Sequence, residues 1–126
     1  MLLDSTVLID MLRNRPMAVE RVRSMRRIGD EPWVCAISVE EIWRGVRTAE
    51  EAGVRGLFRG LRLAPLGVVE GERAGTWRRE FAARGVTLHQ SDCLVAAAAV
   101  GIDGELATGN PGDFPMISVQ HWPAGA

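Results

Sequence analysis

The chain has 126 residues, an apolar fraction of 47%, 25% charged residues and a formal net charge of −1. That size suits one domain around one core, and the charge balance excludes both a disordered charged tail and a uniformly basic nucleic-acid binder. All 15 basic residues are arginine, a usage that a biased genome explains at least as well as phosphate recognition does.

Met1 to Leu3 reads as a very short strand. Asp4, Ser5 and Thr6 follow it as cap residues for a helix through Val7, Leu8, Met11 and Leu12. This start lacks a basic leader region and carries acids at Asp4 and Asp10, so it is not expected to be a signal peptide. No apolar run approaches the roughly 20 residues that span a bilayer, and the expected compartment is the cytoplasm. A second helix opens at Pro16, a residue tolerated in a first turn, and ends near Gly29. Its apolar positions Ala18, Val22 and Met25 recur at helical spacing, while Arg21, Arg23, Arg26 and Arg27 make it basic. Trp33 to Ile37 suits a buried strand, after which Ser38 opens a helix with the stripe Val39, Ile42, Trp43 and Val46.

Glu50 to Gly60 is helical in pattern but interrupted by glycines, and Leu61 to Leu66, cut by Pro65, reads as a third strand. A helix through Val69, Ala74, Trp77 and Phe81 stops at Gly85. Ser91 or Asp92 caps the next helix, whose body from Leu94 to Val100 is almost wholly apolar and therefore central. Glu105 to Thr108 and Ile117 to Val119 are the last two strands. Strands alternating with helices imply crossover connections, hence an α/β domain over residues 1–126 with a small parallel sheet of about five strands between helices. Cys35 and Cys93 lie in apolar runs and are expected as free, buried thiols, with no disulfide or zinc spacing.

In an open parallel sheet, ligands bind outside the carboxyl ends of the strands. Asp4 follows the first strand, Glu41 falls in the first turn of the helix after the second, Asp92 starts the central helix, and Asp113 follows the fourth strand beside Thr108, Asn110 and Gly112. Each acid alone has an ordinary structural explanation. Asp92 can be an N-cap, Ser38 and Glu41 fit a capping box, Asp4 can cap the first helix, and Asp113 can be a turn residue. Those explanations do not account for four acids at one rim. Like charges about 4 Å apart repel by about 4 kcal/mol at an effective dielectric of 20, so protonation or a cation is needed. An all-oxygen set suits Mg²⁺, whereas His89 and His121 are too far apart in sequence to suggest a zinc site.

The stretches Met1 to Asp10, Ile37 to Gly45, Ser91 to Ala97 and Leu106 to Phe114 together resemble the PIN-domain proteins, specifically the VapC toxin ribonucleases of bacterial toxin–antitoxin pairs. The resemblance spans the domain in order and implies the same fold, a small parallel sheet between helices. It implies an endoribonuclease that hydrolyses RNA with one or two Mg²⁺ ions, for which Mn²⁺ can substitute, leaving a 3′-hydroxyl and a 5′-phosphate. Asp4, Glu41, Asp92 and Asp113 are then the metal-binding and catalytic acids. The family's glutamate stands four residues before a glycine, which selects Glu41, with Gly45, over Glu40. Thr108, Asn110, Asp113 and Phe114 match the last family block. The fourth acid varies in position there, so Asn110 is weighed beside Asp113 for that role. Thr6 and Thr108 are expected to orient a water or the scissile phosphate, and Arg44, with Asn110, to bind substrate. Arg47, Arg78, Arg79 and Arg84 are further phosphate candidates. The resemblance also implies a VapB-like antitoxin covering the acidic site, and a homodimer with no membrane association.

Two other enzyme classes fit less well. An aspartyl-nucleophile phosphotransferase usually has a second acid where this chain has Thr6, and no glycine-rich dinucleotide fingerprint follows a strand. The competing reading is a non-catalytic PIN-like module that binds RNA or protein, and the four acids speak against it.

Overall fold

The structure, a computed structural model, describes residues 1–126. Five short strands, β1 (Leu2–Leu3), β2 (Trp33–Val34), β3 (Arg62–Leu63), β4 (Leu106–Thr108) and β5 (Val119–His121), alternate with six helices. The helices are α1 (Ser5–Leu12), α2 (Pro16–Arg27), α3 (Ala36–Arg44), α4 (Glu51–Arg59), α5 (Val68–Ala83) and α6 (Gln90–Gly101). Single 3-10 turns at Thr48–Glu50 and Pro111–Asp113 complete the chain. No helix is long and apolar enough to cross a membrane.

All strand pairs are parallel and the order is β3-β2-β1-β4-β5, so the expected α/β architecture is the observed one. Register is fixed by the pleat. Leu3, Val34 and Ala107 face one side, where they pack with Val7 and Leu8 of α1, Val22 and Met25 of α2, Ile42 of α3 and Val54 of α4. Leu2 and Leu106 face the other side, against Val95, Ala96, Ala98 and Ala99 of α6 and against Phe114. Alanines let α6 lie close on the sheet, and its outer side meets α5 through Ala97, Cys93 and Ala74. Both cysteines are free and buried. Trp122 is buried in the first cluster and Trp33, Trp43 and Trp77 pack against the cores, so none of the four stands free at the surface.

Several boundaries differ from the sequence expectation. The expected strand Trp33 to Ile37 ends at Val34, and α3 begins at Ala36 rather than at Ser38, with Cys35 in the N-cap position. A short apolar run fits strand or buried helix equally, and here the stripe of Cys35, Val39 and Ile42 at helical spacing prevails. Ser38 and Glu41 therefore form no capping box, and Glu41 lies in the second turn. The N-cap of α6 is His89, which leaves Asp92 inside the first turn rather than capping it. The third strand is only Arg62–Leu63, and the fifth starts at Val119 because Ile117 is still in a turn bonded to the Phe114 carbonyl at 3.4 Å.

Candidate active site

Chain connections run outward from β1 to β2 and β3 on one side, and from β4 to β5 on the other, which makes the β1–β4 seam the point where direction reverses. The crevice beyond that seam is where an open parallel sheet has exposed strand ends and helix N-termini on both sides. Asp4 is the first residue beyond β1, held by its N–H on the Ala107 carbonyl at 3.0 Å, and Thr108 ends β4. Asp4 occupies the N-cap position of α1, yet its side chain makes no capping bond.

Its carboxylate is instead fastened from behind. Thr108 Oγ1 donates to Asp4 Oδ2 at 2.8 Å and Thr6 Oγ1 donates to the same oxygen at 3.1 Å. Each hydroxyl is set in turn by a backbone amide: Asn110 N–H on Thr108 Oγ1 at 3.0 Å and Gly109 N–H on Thr6 Oγ1 at 2.8 Å. A hydroxyl has one proton to give, so accepting from an amide while donating to Asp4 leaves it one orientation. Both threonine bonds fall on Oδ2 and leave Oδ1 for something outside the chain. Asp4 is only 7% exposed, and Oδ1, which takes no bond from the chain, keeps access to solvent.

The other acids approach from neighbouring elements. Partial burial pushes the Glu41 carboxyl above its ordinary range, and the charges of Asp4 and Asp92 push it the same way against Arg44. Asp92 is raised for the same reasons, by burial first and then by Asp113 and Asp4, with His89 opposing. Glu41 thus feels the charges of Asp4 and Asp92, while Asp92 feels those of Asp4 and of Asp113, which is exposed in its 3-10 turn. No three acidic, thiol or imidazole groups close on one point tightly enough to cage an ion alone. The donors of the four acids are all hard oxygens, the ligand chemistry that Mg²⁺ takes.

Glu40 behaves oppositely to its neighbour. It is exposed, takes two hydrogen bonds from Arg44 at 2.8 and 2.6 Å, and is held below its ordinary range by that guanidinium. Arg44 is therefore committed to Glu40 on the outer side of α3, where it can offer only its remaining N–H groups to a substrate. Thr108, expected from sequence to orient a water or the scissile phosphate, is fully buried with its hydroxyl donating to Asp4. The Asn110 side chain is exposed, and its backbone N–H serves the threonine. Arg47 pairs loosely with Glu50, and Arg78 donates to the Leu88 carbonyl at 3.2 Å near the start of α6.

Sequence reasoning did not anticipate the Gly109 and Asn110 amides, although the spacing of Thr6 from Asp4 and of Asn110 from Thr108 carried the signal. Nor did it anticipate Ser38, whose buried Oγ has no partner one turn ahead of Glu41.

The PIN domain family model matches residues 1–116. A curated relative, Ribonuclease VapC10 of Mycobacterium tuberculosis, is 35% identical over 116 residues, which cover 92% of this chain and 86% of that protein. Among solved structures, a toxin–antitoxin complex from Klebsiella pneumoniae matches with a TM-score of 0.80 at 22% identity, over 99% of this chain and 98% of that one. DNA-bound VapBC from Salmonella typhimurium matches with a TM-score of 0.82 at 23% identity, over 96% of each chain. At these identities the two structures speak for the fold.

Proposed function

The chain belongs to the PIN-domain family, on its VapC branch, and from that premise we propose that it is a metal-dependent endoribonuclease acting as the toxin of a toxin–antitoxin pair. The observation that carries the reading is that Glu41 stands within reach of the charges of Asp4 and Asp92, and that Asp4, fastened through Oδ2 by two threonines, takes no bond from the chain on Oδ1.

Asp4, Glu41 and Asp92 would hold Mg²⁺ or Mn²⁺, with Asp113 completing the set from its turn. When bound, the ion supplies the Lewis acidity that activates water and offsets charge growing on the phosphate and the leaving oxygen. The chain's own contribution is preorganisation: amides set two hydroxyls, the hydroxyls set Asp4, and the acid is ready without rearrangement. Partial burial and the neighbouring acids raise the Glu41 and Asp92 carboxyls, and a cation among them would offset that mutual repulsion. Phosphate contacts would come from exposed arginines around the rim, among them the free edge of Arg44.

The antitoxin has a surface to fit. A groove of about 260 Å³ runs between α1, α3 and α4 with Ile9, Leu12, Ile42 and Val54 along it and Glu41 and Arg13 at its margin. An amphipathic VapB-like segment laid there would bury its apolar side and bring a basic residue to the acids. A homodimer and action in the cytoplasm complete the proposal, the former tested by sedimentation. Sequencing the RNA ends produced by purified protein with and without Mg²⁺ tests the activity. New 3′-hydroxyl and 5′-phosphate ends that require the metal are expected, and RNA binding without cleavage under any metal would favour a non-catalytic module.

A further inference from the structure

Asp10 is a second buried carboxylate on α1, 7% exposed, and the ribonuclease reading gives it no task. Burying a carboxylate is costly unless something inside binds it. Its Oδ2 accepts the Gly125 N–H at 2.9 Å. Gly125 has φ +81, a region glycine enters without steric penalty, and this turn aims the amide at Asp10. The next carbonyl, of Ala126, accepts the Met17 N–H at 3.3 Å, while at its other end the Trp122 N–H donates to the Thr108 carbonyl at 2.9 Å. The segment Trp122–Ala126 is thus a strap running from the end of β4 across α1 to the start of α2.

Between those ties the strap meets the loop behind the acids. A β-carbon on Gly109 would stand 3.3 Å from the Ala124 Cβ on one side and 3.3 Å from Thr6 Oγ1 on the other. Gly109 is therefore a bare backbone pressed between the strap and Thr6, with its N–H on the hydroxyl that donates to Asp4. We propose that Asp10 is a positioning residue of the ribonuclease: by holding the Gly125 amide it keeps the strap against Gly109, and so keeps the Thr6 hydroxyl on Asp4. The kinetic consequence rests on the ribonuclease reading, whereas the mechanical link does not.

Asp10→Leu removes the acceptor and Asp10→Asn retains one. Amide hydrogen exchange at Gly109 and Gly125 in metal-free protein follows the strap without reference to catalysis. In Asp10→Leu, exchange at both amides should quicken by roughly tenfold or more, with Asp10→Asn restoring it. For RNA cleavage, kcat should fall roughly tenfold in Asp10→Leu with KM within about twofold, again restored by Asn. Should Asp10→Leu fail to fold, a milder pair decides the matter. Gly109→Ala crowds both Thr6 and Ala124 and should slow cleavage, and adding Ala124→Gly should recover much of the loss by giving the new methyl room. Wild-type exchange at Gly109 in Asp10→Leu, an Asp10→Asn protein as impaired as Asp10→Leu, or no recovery from Ala124→Gly would each overturn the proposal. If the wild-type protein cleaves no RNA, the ribonuclease reading fails and the exchange rates alone decide the strap.

Discussion

Thr108 and Asp4 lie 104 residues apart in the chain, and one hydrogen bond of 2.8 Å joins them, a fully buried hydroxyl donating to a nearly buried carboxylate. Thr108→Val keeps the shape but removes the bond and leaves the Asn110 N–H without its acceptor. Stability should drop by about 1–3 kcal/mol, the cost of orphaned buried polar groups, and cleavage should fall with it. Thr108→Ser, which keeps the hydroxyl, should restore most of the activity. Thermal melts beside cleavage assays decide this, and equal activity in the valine and serine variants would remove Thr108 from the site's framework.

Asp4→Asn and Asp92→Asn are each expected to abolish cleavage. Asparagine at position 4 still offers one oxygen to Thr6 and Thr108, so the fold survives while an amide replaces the outward oxygen. Full activity in either variant would exclude that acid from the catalytic set.

Stability of the Asp92→Asn protein should depend on pH in a definite sense. The folded-state pKa of Asp92 is raised above its ordinary value of 3.8, so its charge opposes folding at neutral pH. That opposition is relieved as pH falls through the raised value and is gone below the ordinary one. Without metal, Asp92→Asn should therefore melt higher than wild type at pH 7, and the gap should close on acidification. A gap that widened as pH fell would contradict the electrostatic account.

Glu41→Gln should impair cleavage far more than Glu40→Gln. Because α3 starts at Ala36, no capping box stands behind Glu41, and its substitution tests the charge alone. Glu40 loses only an exposed pair with Arg44, with little change in melting temperature expected. Near-native activity in both variants would remove Glu41 from the active set.

Mg²⁺ and Mn²⁺ should support cleavage and Ca²⁺ should not, since the larger ion prefers more ligands and a looser geometry than the octahedron of the smaller ions. A co-expressed small partner should silence the enzyme, and the inhibition should weaken at high salt if a basic side chain meets the acids. Cleavage that persists in excess EDTA would falsify the metal requirement.

The layered α/β fold was legible in the sequence because α1 and α2 carry periodic apolar stripes and the unbroken apolar body of α6 marks it as central. The rim position of the acids followed from where they stand relative to those elements. The start of α3 was not legible, because Trp33 to Ile37 is an unbroken apolar run whose state depends on what packs against it. Its misplacement also created a capping role for Glu41 that the fold does not contain. Hydroxyl partners were hidden for another reason: Thr6, Thr108 and Gly109 meet only through the pairing of β1 with β4. The same holds for Asp10 and Gly125, which nothing local in either segment connects.

The β1–β4 pairing, Leu2 with Leu106 and Leu3 with Ala107, also sets a clock on the enzyme's own production. Loop closure across most of the chain must precede it, and contacts of such long separation form late. At ordinary translation rates of about 5–20 residues per second, β1 waits several seconds on the ribosome for its central neighbour. A nascent chain that has not yet released Thr108 lacks the hydroxyl that donates to Asp4 Oδ2, so that acid is fastened only after residue 108 has left the ribosome.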